Sequence, residues 1–246
     1  MQQYFIPSIT KVGEDVFLNS EQAHHILTVL RMKDHAIVRI VDAASTIFLA
    51  SIQKVNKEVK ATILEQVEDK TKLPIKVTLV QGLIKGEKWD FLLQKTSELG
   101  VHTIVPFSSK RSVVKTKKES IDKKLMRWNK ISLEACEQCK RSTLVQIEEP
   151  ISFSEITNYK SQLNIIAYED ADCESESLGK IMKQNPNITS ITFVVGCEGG
   201  FDKEEVAYLE KHGFQRVSLG TRILRAETAA MYVVNAANFY YDMDDE

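Results

Sequence analysis

The spacing of apolar and polar positions changes character once along the chain. Up to about residue 70, β-branched runs are short and separated by turn residues. Residues 36–41 read Ala-Ile-Val-Arg-Ile-Val, the turn Asp42-Ala-Ala-Ser45 follows, and runs 46–55 and 59–68 flank a hairpin turn at Asn56-Lys57. Between the early strands, Ala23, Ile26, Leu27 and Leu30 recur at helical spacing behind Ser20, a residue suited to capping that helix. The pattern predicts a small barrel-like β domain with an inserted helix over residues 1–70. The segment 68–74, Glu-Asp-Lys-Thr-Lys-Leu-Pro, is polar, ends in proline and reads as a linker.

Over residues 71–246 the rhythm becomes strand–helix. Strands are expected at 75–83, 103–107, 163–168, 191–195 and 215–219, and helices at 89–99, 121–140, 203–212 and 226–240. Such alternation builds an α/β domain around a mostly parallel sheet flanked by helices. Asp202 followed by Glu205 fits a capping box, and Gly213 sits where that helix should stop. Trp89, Leu92, Leu93, Thr96 and Leu99 form the core stripe of the first long helix.

Composition narrows the class. With 246 residues, 43% of them hydrophobic, the chain can bury one large core or two smaller ones. No apolar run approaches the ~18–20 residues of a membrane span, and the start, Met-Gln-Gln-Tyr-Phe, lacks a basic region followed by an apolar run, so a cytoplasmic protein is expected. Four cysteines do not make a disulfide scaffold at this length. The net charge of −2 excludes a globally basic nucleic-acid binder, yet residues 110–141 carry eleven Lys or Arg against four acids, a local surplus of seven.

Several segments carry candidate chemistry. In 193–201, Phe-Val-Val-Gly-Cys-Glu-Gly-Gly-Phe, a buried strand runs into Gly196, Gly199 and Gly200 and then into a capped helix. Glycines there let the backbone turn sharply and approach a ligand; the same glycines also suit a tight turn holding none. A pyrophosphate fits poorly, because the segment lacks Gly-Lys-Ser/Thr and a full G-x-G-x-x-G and carries Glu198, whereas a sulfonium tolerates that carboxylate. The segment 219–229 also leaves a strand, bends at Gly220, and crowds Arg222, Arg225 and Glu227 between Leu219, Ile223 and Leu224. Its amides can read an adenine edge while the apolar side chains flank the ring; a salt-bridged helix start is the plainer alternative. A third strand ends at Tyr168-Glu169, so three loops should meet at the carboxyl edge of the sheet, where open α/β sheets bind ligands. Lys85 and Lys88 can reach RNA or simply be solvated. Cys136-x-x-Cys139 lacks a second close pair to complete a structural zinc site, so no metal is expected.

Together these motifs resemble the SPOUT superfamily of trefoil-knot methyltransferases, and more closely the bacterial family that methylates N3 of a uridine in 16S rRNA. The resemblance spans nearly the whole chain. It rests on His25-Ile-Leu-Thr-Val-Leu-Arg-Met, Lys85-Gly-Glu-Lys-Trp-Asp through Glu98-Leu-Gly100, Glu134-Ala-x-Glu-Gln-x-x-Arg141, Val195-Gly-x-Glu-Gly-Gly-Phe201 and Leu219-Gly-x-Arg-Ile-Leu-Arg-x-Glu-Thr-Ala229. It implies a PUA-like RNA-binding domain followed by a knotted α/β domain, a homodimer, and ribosomal RNA, within the small ribosomal subunit, as partner. It also implies S-adenosylmethionine as cofactor, held by Tyr168, Glu169, Val195, Gly196, Gly199, Gly200, Leu219, Gly220, Ile223, Leu224, Arg225, Ala226, Thr228 and Ala229.

Uridine N3 must lose its proton to become a nucleophile. Glu198 and Glu227 are the candidate bases, Arg225, Arg222 and Arg141 the candidate stabilisers of the resulting anion, and Glu198 serves equally to pin its loop. RNA contacts are expected from Arg31, Lys85, Lys88, Lys110, Arg111, Lys115, Lys124, Arg127, Lys130, Lys140 and Arg141. The chain departs from the family pattern at Cys197, usually proline, at Asp34-His35, commonly Gly-Asp, and at Cys139-Lys140, usually smaller. A related knotted enzyme acting on another RNA or on a ribose 2′-hydroxyl, and a non-enzymatic assembly factor of the same fold, remain as alternatives.

Overall fold

A computed structural model describes residues 1–109, 121–168 and 175–242. They fall into two compact units. The first joins Met1–Lys72 to Cys136–Thr143, and the second joins Leu73–Ala135 to Leu144–Glu246.

In the first unit, β1 (Gln3–Phe5), β2 (Asp15–Phe17), β3 (Ile37–Val41), β4 (Ile47–Val55) and β5 (Glu58–Val67) form one sheet in the order β1-β3-β4-β5-β2. β1 pairs with β3 in parallel and the remaining pairs are antiparallel. The β4–β5 hairpin turns at Asn56, whose φ of 58° is one that asparagine tolerates better than most residues. His35 also takes a positive φ, 63°, at the Asp34-His35 turn, where Asp34 Oδ1 accepts from the Lys54 amide at 2.8 Å. Tyr4, Ile26, Val38, Ile40, Ile52 and Ile63 close the core.

The helix of this unit corrects two expectations. Its cap is Asn19 rather than Ser20: Asn19 Oδ1 accepts from the Gln22 amide at 2.9 Å while Gln22 Oε1 accepts from the Asn19 amide at 3.1 Å, a reciprocal box. The α-helical part, α1 (Ser20–His24), then widens into a π-helical turn over His25–Val29. That extra residue per turn shifts the phase of the stripe, so Ile26 stays buried while Leu30 points outward, 42% exposed.

The second unit is built on an eight-stranded sheet in which every pair is parallel. Its strands are β6 (Lys76–Gly82), β7 (Thr103–Ser108), β8 (Gln146–Ile147), β9 (Ile151–Ser152), β10 (Leu163–Ala167), β11 (Glu176–Ser177), β12 (Ser190–Val195) and β13 (Gln215–Ser218). The order is β11-β13-β10-β12-β6-β7-β8, with β9 also on β7. Central strands β6, β10 and β12 are buried along most of their length, the polar Gln81, Asn164 and Thr192 included, as expected of strands covered on both faces. The helices are α2 (Gly86–Glu98), α3 (Ile121–Cys139), α4 (Leu178–Gln184), α5 (Lys203–Lys211) and α6 (Ala226–Asp242). α5 carries the expected Asp202/Glu205 box and ends before Gly213, φ 85°. A 3-10 helix at Phe153–Tyr159, together with α4, β8, β9 and β11, has no counterpart among the elements expected from periodicity.

Candidate active site

Three loops leave the carboxyl ends of β10, β12 and β13. These strands are neighbours in the sheet and run parallel, so their carboxyl ends share one edge. Among the described residues, Ala167 and Tyr168 and the loops after β12 and β13 line a cavity of about 760 Å³, joined by Lys88 from the first turn of α2. Its lining residues all belong to the second unit.

The loop after β12 is fixed from several sides. Gln81, fully buried at the end of β6, donates through Nε2 to the carbonyls of Gly82 at 3.0 Å and Gly196 at 3.1 Å. A Cβ on Gly82 would overlap the Cys197 amide nitrogen, so glycine is what allows the β6 end and this loop to touch. The Gly200 amide closes a turn on the Cys197 carbonyl at 2.9 Å, with Gly200 at φ 64°. Phe201 stacks on Phe107 of β7, ring centroids 6.2 Å apart and planes within 6°. Cys197 is buried, its Sγ 3.5 Å from Ser109 Oγ. Glu198 is exposed, and its Oε1 accepts from the Lys85 amide at 3.2 Å, holding the residue that precedes α2.

The loop after β13 bends at Gly220, φ 122°, where Ser218 Oγ bonds both the amide and the carbonyl of Gly220. It enters α6 with the Ala229 amide on the Arg225 carbonyl at 2.8 Å. Ile223 is 91% exposed beside the cavity, an apolar wall without a covering group among the described residues. The Tyr168 amide bonds the Val217 carbonyl at 3.1 Å, tying the first loop to β13.

Glu227, in the first turn of α6, is the buried acid of the cavity, only 8% exposed. Its Oε1 lies 3.6 Å from Lys88 Nζ. Its Oε2 is buried and has no hydrogen-bond partner among the described residues. A buried carboxylate oxygen left unsatisfied is costly, which marks it as a place where a ligand donor belongs.

A family model described as an RNA methyltransferase domain matches residues 71–238, and one described as an RNA methyltransferase PUA domain matches residues 18–64. The ribosomal RNA small subunit methyltransferase E of Bacillus subtilis is 32% identical, over 99% of this chain and 98% of the relative. The chain belongs to the ribosomal RNA small subunit methyltransferase E family. A crystal structure of the family member from Neisseria gonorrhoeae bound to S-adenosylmethionine superposes with a TM-score of 0.89 at 32% identity, covering 99% of both chains. A Legionella pneumophila methyltransferase in complex with bound S-adenosylmethionine gives 0.86 at 31%, covering 95% of both.

Against this family background, Tyr168, Val195, Gly196, Gly199, Gly200, Leu219, Ile223, Leu224, Arg225, Ala226 and Ala229 line the cavity, as do Glu198 and Glu227. Gly220 and Thr228 do not line it: Gly220 supplies the bend, and Thr228 faces outward on α6. Arg222 is exposed away from the lining. Arg141 belongs to the first unit, where it is buried and its carbonyl accepts from Gln3 Nε2 at 2.6 Å. Glu169 lies outside the described residues. The cavity adds Lys88, Ala167, Cys197 and Phe201. Cys197 and Phe201 sit inside the glycine segment and could have been taken with it.

Of the residues expected to meet RNA, Arg31, Lys85, Lys88 and Lys130 are exposed, Lys124 is half-buried, and Arg127 pairs with Asp90 of α2. Lys140, at φ 68°, donates through Nζ to the Glu137 carbonyl at 3.0 Å. Burial, and then the nearby Arg39 cation, hold the Lys140 ammonium below the usual lysine range. Lys110, Arg111 and Lys115 lie outside the described residues. The Cys139 thiol donates to the Cys136 carbonyl at 3.7 Å.

Proposed function

We propose that this protein methylates N3 of a uridine in small-subunit ribosomal RNA, with S-adenosylmethionine as methyl donor. The observation that carries the reading is the cavity at the ends of β10, β12 and β13, with a buried carboxylate oxygen inside it that has no partner among the described residues.

The residues present suit the cofactor. Leu219, Ile223, Leu224 and Val195 offer apolar surface for an adenine ring, and the bent backbone of both loops offers amides and carbonyls for its polar edge. When bound, the cofactor supplies an electrophilic methyl group on a sulfonium. The chain's part is to place the uracil and to take its N3 proton. Glu227 is suited to the second task because its free oxygen is shielded from water, whereas Glu198 has one oxygen committed to the Lys85 amide. Arg225 borders the cavity as a cation available to the anion that forms.

We assign RNA binding to the PUA-like unit and to the basic segment 110–141, and place the reaction in the cytoplasm on the small subunit. Pairing with a second copy is assigned to the outward face of α6, where Tyr232 and Phe239 are 45% and 65% exposed; sedimentation velocity tests it. Methyl transfer from labelled cofactor to purified small subunits, read by nucleoside mass spectrometry, tests the reaction. The expected product is 3-methyluridine; a ribose-methylated nucleoside, or no product, overturns the reading. Subunit affinity should fall steeply with salt, as phosphate contacts require.

A further inference from the structure

Lys88 has the features of an RNA-contacting surface lysine in the sequence, but the structure places it elsewhere. It occupies the first turn of α2 and lines the cavity, its Nζ 3.6 Å from Glu227 Oε1. A cation in the first turn opposes the helix dipole, so α2 gains nothing from it there. Glu227 in the first turn of α6 is favoured by the same rule. Two helix starts thus bring a donor and an acceptor together, with the second carboxylate oxygen buried and without a partner among the described residues. The start of α2 is itself tied to the glycine loop, because Glu198 accepts from the Lys85 amide. The position of Lys88 is therefore set by the wall of the cavity.

Resting on the function proposed above, we infer that Lys88 and Glu227 act as one catalytic unit that reads and activates uracil. Uracil presents an N3–H donor flanked by two carbonyl acceptors. Glu227 Oε2 accepts from N3–H, and the Lys88 ammonium donates to an adjacent carbonyl oxygen. In the reaction the N3 proton passes to Glu227, and the N3 electron pair forms the bond to the methyl carbon. The carbon–sulfur bond breaks with its pair going to sulfur, and Glu227 afterwards releases the proton to water. Lys88 stabilises the negative charge that spreads from N3 onto the carbonyl oxygen. Cytosine lacks the N3 proton that Glu227 accepts and replaces one flanking carbonyl with an amino donor, so the pair also disfavours that base. The nearly neutral pair suits this uncharged edge better than the ammonium of the cofactor's amino-acid end, which Lys88 would repel.

The test uses the full-length protein with small ribosomal subunits, comparing Lys88→Met, Lys88→Arg and Glu227→Gln with the wild type. Expected for Lys88→Met is a loss of roughly a hundredfold in the single-turnover rate at saturation. Cofactor affinity, subunit affinity and salt slope stay as in the wild type, and Lys88→Arg recovers part of the rate. Glu227→Gln should lose at least as much rate and regain some of it as pH rises, when hydroxide can take the proton. Thermal melts of all three check folding, and Lys88 is exposed enough for its substitution to leave the fold intact.

A Lys88→Met protein with wild-type rate at saturation, or with weakened subunit binding and a shallower salt slope, overturns the inference and returns Lys88 to a phosphate contact. Cofactor affinity lost in Glu227→Gln with an unchanged rate at saturation also overturns it, placing Glu227 on the cofactor. A wild type that yields no 3-methyluridine fails the underlying function first, and is recognised before any variant is measured.

Discussion

At the scale of single residues, the site depends on one hydrogen atom in place of a methyl group. Gly82→Ala places a Cβ onto the Cys197 amide, and neither backbone can yield without moving the cavity wall. The expected cost is about 1–3 kcal/mol of stability, with a tenfold or greater loss of cofactor affinity by calorimetry. An alanine protein that melts and binds like the wild type would show that the contact is slack. Asp69 offers a pH-dependent counterpart in the first unit. Burial raises its pKa, but hydrogen bonds from Ser142 and Thr71 outweigh burial and hold it below the usual carboxylate range. A depressed folded-state pKa adds stability above the unfolded pKa and loses it as pH falls through the folded value. Asp69→Asn should therefore flatten the acid limb of a melting-temperature profile and lower its neutral plateau. Residues of this kind were unevenly legible in the sequence. Glu227 stood out because its motif crowds charges together, yet nothing local revealed that only one of its oxygens has a partner. Gly82 carried no signal, since the loop it touches is more than a hundred residues away.

At the scale of elements, the glycine loop is anchored at its last residue as well as along its backbone. Phe201 lies 5% exposed against Phe107, with Val206 and Phe214 in the same cluster. Phe201→Ala should cost about 3–5 kcal/mol, and hydrogen exchange should rise at the Gly199 and Gly200 amides before it rises in β12. Equal protection in both proteins would mean that the hydrogen bonds of Gln81 and Glu198 suffice to hold the loop. Long elements were readable from periodicity: α2, α3, α5 and α6 and the five main strands lie within a few residues of expectation. The elements that escaped are short or irregular. β8, β9 and β11 have two residues each, too few for alternation to register. The π-helical turn was invisible because the period of 3.6 assumes the geometry that this turn abandons.

At the scale of the whole molecule, the change from hairpin rhythm to strand–helix rhythm falls near residue 70, while the chain clusters into two compact units and the cavity is lined by residues of the second. Pattern rules had no means of assigning eight residues from the middle of the chain to the first unit. Cys136–Thr143 belong there, with the Arg141 carbonyl on the buried Gln3 amide and the Ser142 amide on Thr71 Oγ1 at 3.3 Å. This has a consequence for biosynthesis. The N-terminal unit cannot finish when its first 72 residues leave the translating ribosome, because the segment that satisfies Gln3 is not yet made. It must wait, exposed to proteases and chaperones, until Thr143 emerges. A polypeptide released at Lys72 should stay protease-sensitive, one released beyond Thr143 should gain protection in that unit, and adding a 136–143 peptide to the shorter fragment should restore part of it.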